Sequence, residues 1–168
     1  MVEVPKSQYP LSCRLLSLLA YLMAGAIIAQ ALGCLAPYLL MEDSQAAGML
    51  ANLLMQHLSY YFLGCAFVIL SLSNILIKRG IFQLKAVRLP SLILIVSVAV
   101  ASFLLIPRMD YLRETALQDG MPVMLSTFAN YFVILNSLTI ALVIMQMICS
   151  GLMAWGLSNP QMTQVTPN

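Results

Sequence analysis

Charge is scarce in this sequence. Only 8 Lys or Arg and 6 Asp or Glu occur among 168 residues, 8% of the chain, and His57 is the single histidine. Soluble domains carry about 25% charged residues, whereas this chain is 61% hydrophobic with a mean hydropathy of +0.92. The composition excludes a soluble globular domain and indicates an integral membrane protein. Since one helical span takes about 20 residues, there is room for about four spans and no appended soluble domain.

Motifs for catalysis or ligand binding are also missing. The sequence has no glycine-rich phosphate loop, no His-Glu-x-x-His and no Gly-x-Ser-x-Gly. The twelve methionines form no repeated Met-x-x-Met ladder, so adaptable packing is favoured over soft-metal transport. We expect no catalytic residue, no metal site, no cofactor and no nucleic-acid binding, and we expect that the protein is not an enzyme. Without Cys-x-x-Cys spacing, the cysteines are interpreted as small buried side chains: Cys13, Cys34, Cys65 and Cys149.

Long uncharged runs delimit the membrane spans. Residues 15–41, 44–77 and 89–107 contain no charged side chain, and none follows Asp119. Because the hydrocarbon core contains no water that could hydrogen-bond to unpaired backbone amides, each crossing segment must be helical. The sequence predicts an all-α, integral membrane four-helix bundle with one transmembrane domain, residues 15–157, between a cytoplasmic N-terminal segment, 1–14, and a polar tail, 158–168. The predicted spans are about 15–41, 58–77, 89–106 and 127–157.

The second uncharged run is too long for one simple crossing. As one helix it would measure about 51 Å, against a hydrocarbon core of about 30 Å. Its first part, 44–57, is amphipathic, and we predict an interfacial or protruding helical segment that leads into the span 58–77. Asp43 or Ser44 is the predicted N-cap and Gly80 the predicted C-terminal stop. The polar face consists of Gln45, Asn52, Gln56 and Ser59, and the apolar face includes Ala46, Leu50, Leu53, Leu54 and Leu58.

The basic residues predict the orientation of the chain. Six of the eight Lys and Arg residues fall on one side of the predicted membrane, which the positive-inside rule makes the cytoplasmic side. Both termini are therefore predicted in the cytoplasm, in a multi-pass protein of the cell membrane, with a bacterial inner membrane favoured. The cytoplasmic set is Lys6, Arg14, Lys78, Arg79, Lys85 and Arg88, and the outer set is Arg108 and Arg113 with Glu42, Asp43, Asp110, Glu114 and Asp119.

Two helices carry residues typical of helix packing. Gly25, Ala29 and Gly33 on the first helix recur every four residues and allow another backbone to approach closely. On the last helix, polar and small residues recur at spacings of three and four and are predicted to avoid lipid. Each face can meet another helix of the bundle, a second copy or another subunit, and the sequence leaves these alternatives open. The last-helix set is Asn136, Thr139, Gln146 and Ser150.

Three classes of function remain on the sequence alone. The favoured one is a non-enzymatic structural or assembly component, a small subunit of a membrane complex that contacts the bilayer and itself or other subunits through helices 1 and 4. The alternative is an oligomeric transporter or channel component for a small solute or metal, with a polar path of Gln30, His57, Asn136 and Gln146. The third is a membrane enzyme acting on lipid or quinone, for which His57, Tyr60 and Tyr61 are the candidates.

The sequence contains several short motifs: Ala36-Pro37-Tyr38-Leu39-Leu40, Ala46-Ala47-Gly48, Ile106-Pro107-Arg108-Met109, Leu112-Arg113 and Leu135-Asn136. Together they resemble a bacterial four-helix membrane family of unknown function that is related to eukaryotic transmembrane protein 205. The family often has a histidine early in its last helix, where this chain has Ala129. The resemblance implies an uncharacterised inner-membrane protein, with proposed links of the eukaryotic relatives to drug or metal tolerance. In these motifs Pro37 is expected to end or kink the first helix, and Arg108 and Arg113 to pair with Glu42 and Asp43.

Overall fold

The computed structural model describes residues 10–79 and 84–158. In these ranges the chain forms four long helices and no strand. All four helices are long and apolar enough to cross a membrane, so the predicted all-α, four-helix membrane architecture is confirmed. Lys6, Gly80 and most of the predicted tail lie outside the described residues. The helices are α1, Pro10–Leu40; α2, Ser44–Lys78; α3, Lys85–Gln118; and α4, Ala129–Ser158.

Both ends of α1 differ from the sequence expectation. The helix begins at Pro10, inside the predicted N-terminal segment, and therefore includes Arg14. Proline is tolerated in a first helical turn because the amide it lacks would have no partner there. Pro37 does not end the helix, which continues to Leu40, and the Pro37 carbonyl accepts a hydrogen bond of 2.9 Å from the Met41 N–H.

α2 is one continuous helix that joins the predicted amphipathic segment to the predicted span. Of the two predicted N-cap candidates, Asp43 is the one observed, and Asp43 Oδ1 accepts a hydrogen bond of 2.9 Å from the Gln45 N–H. The polar face points into the bundle, because Asn52 and Ser59 are buried while Leu50 and Leu53 are exposed. A surface helix of a soluble protein buries its apolar face and exposes its polar face. The first part of α2 does the reverse, which suits a helix whose outer face meets lipid.

α3 contains a π-helical turn, Ala101–Leu105. The prediction that this helix ends before Pro107 is wrong, since α3 continues to Gln118. In the π turn the Ile106 N–H donates to the Ala101 carbonyl. The wider turn relieves the clash that a proline ring makes with the carbonyl four residues earlier. A proline that would break a regular helix is therefore accommodated inside a long one.

Each helix packs against two neighbours, so that α1, α2, α3 and α4 form a ring closed by the contact of α4 with α1. Two apolar clusters fill the centre of the ring, one at each end. The windows that qualify as membrane spans are only 22% to 44% buried inside the chain, so most of their apolar surface is left for lipid or a partner. The first cluster includes Leu16, Met23, Ile27, Ile69, Leu94 and Met153; the second includes Leu105, Ile106, Met109, Leu112 and Phe132.

Two contacts fix the alignment of α3 with α4. Ser91 Oγ donates to Met153 Sδ at 3.6 Å, and the Arg113 guanidinium lies 5.0 Å from the centre of the Phe132 ring. This alignment places Asn136 opposite Arg108 and Trp155 near the level of Arg88. Arg88 and Arg108 are separated along α3 by about 30 Å, at 1.5 Å per residue, which matches the hydrocarbon thickness. Asn136 and Trp155 are both exposed, at the two levels that Arg108 and Arg88 mark.

Candidate functional site

A buried arginine joins the helices at the end of the bundle that carries Arg108. Arg113 on α3 is only 4% exposed. Its Nη1 atom lies 3.6 Å from Asp110 Oδ1, one turn earlier on the same helix. Asn52 Nδ2 on α2 donates to the same Asp110 oxygen at 2.7 Å. The guanidinium also lies over the ring of Phe132 on α4, a cation–π arrangement.

Gly48 on α2 makes room for this guanidinium. A Cβ atom at Gly48 would collide with Arg113 Nη2, would lie 2.9 Å from Arg113 Cζ and would lie 3.0 Å from the Tyr38 hydroxyl of α1. Glycine therefore allows the α2 backbone to lie directly against the charged group. We name Tyr38, Gly48, Asn52, Asp110, Arg113 and Phe132 the Arg113 cluster. It brings together residues of all four helices.

The electrostatics of the Arg113 cluster are asymmetric. The Asp110 side chain is 36% exposed, whereas that of Arg113 is 5% exposed, so most of the cost of removing charge from water falls on the guanidinium. Arg113 Nη1 is buried and makes no hydrogen bond to any residue that the structure describes. The aspartate and the aromatic ring are thus its main compensation. We interpret the Arg113 cluster as a structural contact that fixes the relative positions of the four helices.

The predicted charge pairing differs from the one observed. Arg113 pairs with Asp110, three residues earlier on α3. Asp43 caps α2, while Glu42 and Arg108 are exposed. Arg113 cannot serve as an outer-face partner because the turn of α3 that carries it faces the bundle. Sequence reasoning missed its burial, although the spacing of Asp110 and Arg113 puts both on one side of a helix.

The strip of small residues on α1 faces away from the bundle. Gly25 and Ala29 are exposed and Gly33 is half-buried. A Cβ atom at Gly25 or Gly33 would meet no described atom within 4 Å. The strip therefore packs against no helix in the part of the chain that the structure describes, which leaves it open to lipid, to a second copy of the chain or to another subunit. Its flanks are exposed large side chains: Leu18, Leu22, Ile28 and Leu32.

The predicted seam of α4 divides into buried and exposed members. Thr139, Gln146 and Ser150 are buried within the bundle, whereas Asn136 is exposed. The Thr139 hydroxyl donates to the Leu135 carbonyl at 2.9 Å and the Ser150 hydroxyl to the Met147 carbonyl at 3.0 Å. Both bonds stay within α4. The hydroxyls are thus satisfied by their own helix.

The structure does not bring the candidate polar path together. Gln30 and Gln146 are 4% and 3% exposed and face the bundle interior from α1 and α4. Gln30 Oε1 makes no hydrogen bond to a described residue. His57 and Asn136 are exposed on other faces, and His57 Nδ1 lies 2.8 Å from the Leu53 carbonyl oxygen. Tyr60 and Tyr61, the further candidates for an enzyme site, are also exposed on α2.

Comparison of the chain with known proteins finds no matching family model, no matching curated protein and no matching solved structure. The fold and the contacts described above define a four-helix membrane protein.

Proposed function

We propose that this chain is a small, non-enzymatic assembly component of a membrane complex and that its contact surface is the small-residue strip of α1. The observation that supports the proposal is the outward direction of Gly25 and Ala29, with open space around Gly25 and Gly33. In lipid, helices associate through close packing at small residues rather than through the hydrophobic effect. The strip offers this close approach and no helix of the same chain uses it.

The buried polar residues support an assembly role over a transport role. Thr139 and Ser150 bond within α4, and Asn52 bonds to Asp110 inside the Arg113 cluster. The two hydroxyls are satisfied by their own helix and Asn52 links α2 to α3, so these three groups are engaged inside the bundle, and the α1 face is the distinctive open surface. A second copy of the chain is the simplest partner, and another membrane subunit with a small-residue helix is the alternative.

Replacing Gly25 with Leu is expected to weaken this association by at least about tenfold, equivalent to about 1.4 kcal/mol, because the new side chain separates the two backbones. Ala29→Leu is expected to act in the same direction. Gly64→Leu is the matched control, since Gly64 is an exposed glycine on α2 that also has nothing within 4 Å. Association is measured by native mass spectrometry and by single-molecule photobleaching in lipid nanodiscs. A strictly monomeric wild type with no co-purifying subunit contradicts the proposal. An equal weakening of association by Gly64→Leu contradicts it as well.

Location and orientation are part of the proposal. Arg14, Lys78, Arg79, Lys85 and Arg88 lie at one end of the bundle, and the positive-inside rule assigns that end to the cytoplasm. A bacterial inner membrane, and kinship with the family related to transmembrane protein 205, agree with this arrangement.

The orientation predicts the behaviour of a reporter fused after Asn168. Alkaline phosphatase, which needs an oxidising compartment, is expected to be inactive there, and green fluorescent protein is expected to fluoresce. The same pair of reporters inserted after Asp119 is expected to give the reverse result, because that connection lies at the opposite end. Phosphatase activity at the C-terminus would overturn the assignment.

A further inference from the structure

A cavity beside Arg108 lies at the interface end of α3. It has a volume of about 320 Å³ and lies between the second half of α3 and the start of α4. Arg108 is exposed and makes no ion pair with any acid that the structure describes. The lining residues include hydroxyl groups and aromatic rings but no acidic side chain: Arg108, Tyr111, Leu112, Thr115, Phe128 and Tyr131. The cavity is therefore suited to a ligand that carries negative charge.

An apolar cavity of about 230 Å³ lies between the same two helices, deeper in the bilayer. Val96 and Val100 of α3 and Leu142 and Met145 of α4 are among its lining residues. Exposed apolar side chains continue along both helices towards Arg108, among them Leu104, Ile134 and Leu138.

The π turn aligns the two cavities on one side of α3. In a regular α-helix Val96 and Arg108 would point about a third of a turn apart. The wider turn at Ala101–Leu105 lies between them and removes part of this offset. On α4, Tyr131, Leu138, Leu142 and Met145 follow at spacings of seven, four and three, so they share one side of the helix. The two cavities are thus the ends of one groove between α3 and α4.

We propose that this groove binds one phospholipid with a net negative headgroup. The Arg108 guanidinium and the hydroxyls of Tyr111 and Tyr131 donate hydrogen bonds to the phosphate, and an acyl chain lies over Val100 and Leu142. Val96 and Arg108 are separated by about 18 Å along α3, close to the roughly 15 Å of hydrocarbon in one leaflet. A zwitterionic headgroup would bring a cation to a cavity whose lining has no acid to pair with it.

Lipid retention by the purified full-length protein tests the headgroup site. The protein in detergent micelles is supplied with equal amounts of dioleoylphosphatidylglycerol and dioleoylphosphatidylcholine, and native mass spectrometry measures the lipid that stays bound. Wild type is expected to retain phosphatidylglycerol preferentially, and Arg108→Gln to lower its retention by roughly tenfold, as expected for hydrogen bonds to a charged group. Arg88→Gln is the matched control, because it removes an exposed arginine from the other end of α3.

The acyl-chain part of the groove is tested separately. Val96→Trp, which fills the apolar cavity from an exposed position, is expected to lower phosphatidylglycerol retention, whereas Val68→Trp on the exposed face of α2 is expected to leave it unchanged. Inorganic phosphate at the same concentration distinguishes a bound lipid from a site for free phosphate. Four outcomes would each overturn the proposal. They are equal retention of the two lipids, an equal fall in phosphatidylglycerol retention with Arg88→Gln, unchanged retention with Val96→Trp, and full displacement of the lipid by inorganic phosphate. Circular dichroism of every variant verifies that the bundle is intact.

Discussion

Asp110→Ala is expected to destabilise the folded bundle by about 2–3 kcal/mol, less than the cost of breaking a fully buried ion pair from one side, because the Asp110 side chain is 36% exposed. The reason lies in the burial of its partner. The Arg113 side chain is 5% exposed, and without Asp110 it has no counter-charge among the described residues. Asn52 would also lose the acceptor of its 2.7 Å hydrogen bond. Unfolding by sodium dodecyl sulfate, followed by circular dichroism in mixed micelles, measures the change.

Two further variants separate charge pairing from general damage. Glu114→Ala removes an exposed carboxylate from the same part of α3 and is expected to change stability by no more than about 0.5 kcal/mol. The double variant Asp110→Ala with Arg113→Met removes both charges and is expected to recover much of the lost stability, because a methionine can occupy the same site without charge. A loss with Asp110→Ala that is as small as that with Glu114→Ala would show that the pair does not hold the helices together.

The number and class of the helices could be predicted from the sequence because the bilayer leaves few alternatives. An uncharged run of membrane length must be helical, since no water is present to satisfy its backbone. The N-cap Asp43 followed from the same local chemistry, because its side chain accepts from the Gln45 N–H whatever the rest of the chain does. Such features depend on a few neighbouring residues and on the solvent.

Features that depend on the surroundings of a helix were harder to predict. The rule that a proline ends a helix failed at Pro107, where the preceding π turn provides room for the ring. For the first half of α2 the sequence identified the polar and apolar faces but not their directions. In water Asn52 would face outward, whereas here it is buried and Leu50 faces outward. The surrounding solvent decides between these two directions.

The Arg113 cluster could not be predicted because its members come from separate parts of the chain. Arg113 lies beyond the uncharged runs, which predicts a position on the outer charged face with Glu42 and Asp43. Only the folded bundle brings Gly48 and Phe132 against its guanidinium. The small-residue strip of α1 posed a related problem: the spacing of Gly25 and Ala29 predicts a packing face, and the direction of that face follows only from the positions of the other helices.

Gly48→Ala is expected to destabilise the bundle by about 1–3 kcal/mol, the usual cost of forcing extra volume into a packed site. The added methyl group would collide with the Arg113 guanidinium and approach the Tyr38 hydroxyl. Gly64→Ala provides a control of opposite sign. The Cβ that this substitution adds would meet nothing within 4 Å. The substitution is therefore expected to stabilise α2 by about 0.5–1 kcal/mol, because alanine has a higher helix propensity than glycine. Both changes are measured by the same unfolding assay in mixed micelles.

The penalty at Gly48 should depend on Arg113 if the collision is its cause. In the background of Arg113→Met, where the planar guanidinium is replaced by a flexible side chain, Gly48→Ala is expected to cost markedly less than in wild type. The difference between the two backgrounds measures the coupling of α2 to α3 at this contact. An equal cost in both backgrounds would assign the role of Gly48 to its contact with Tyr38 of α1, and Tyr38→Phe would then be the variant that relieves the cost.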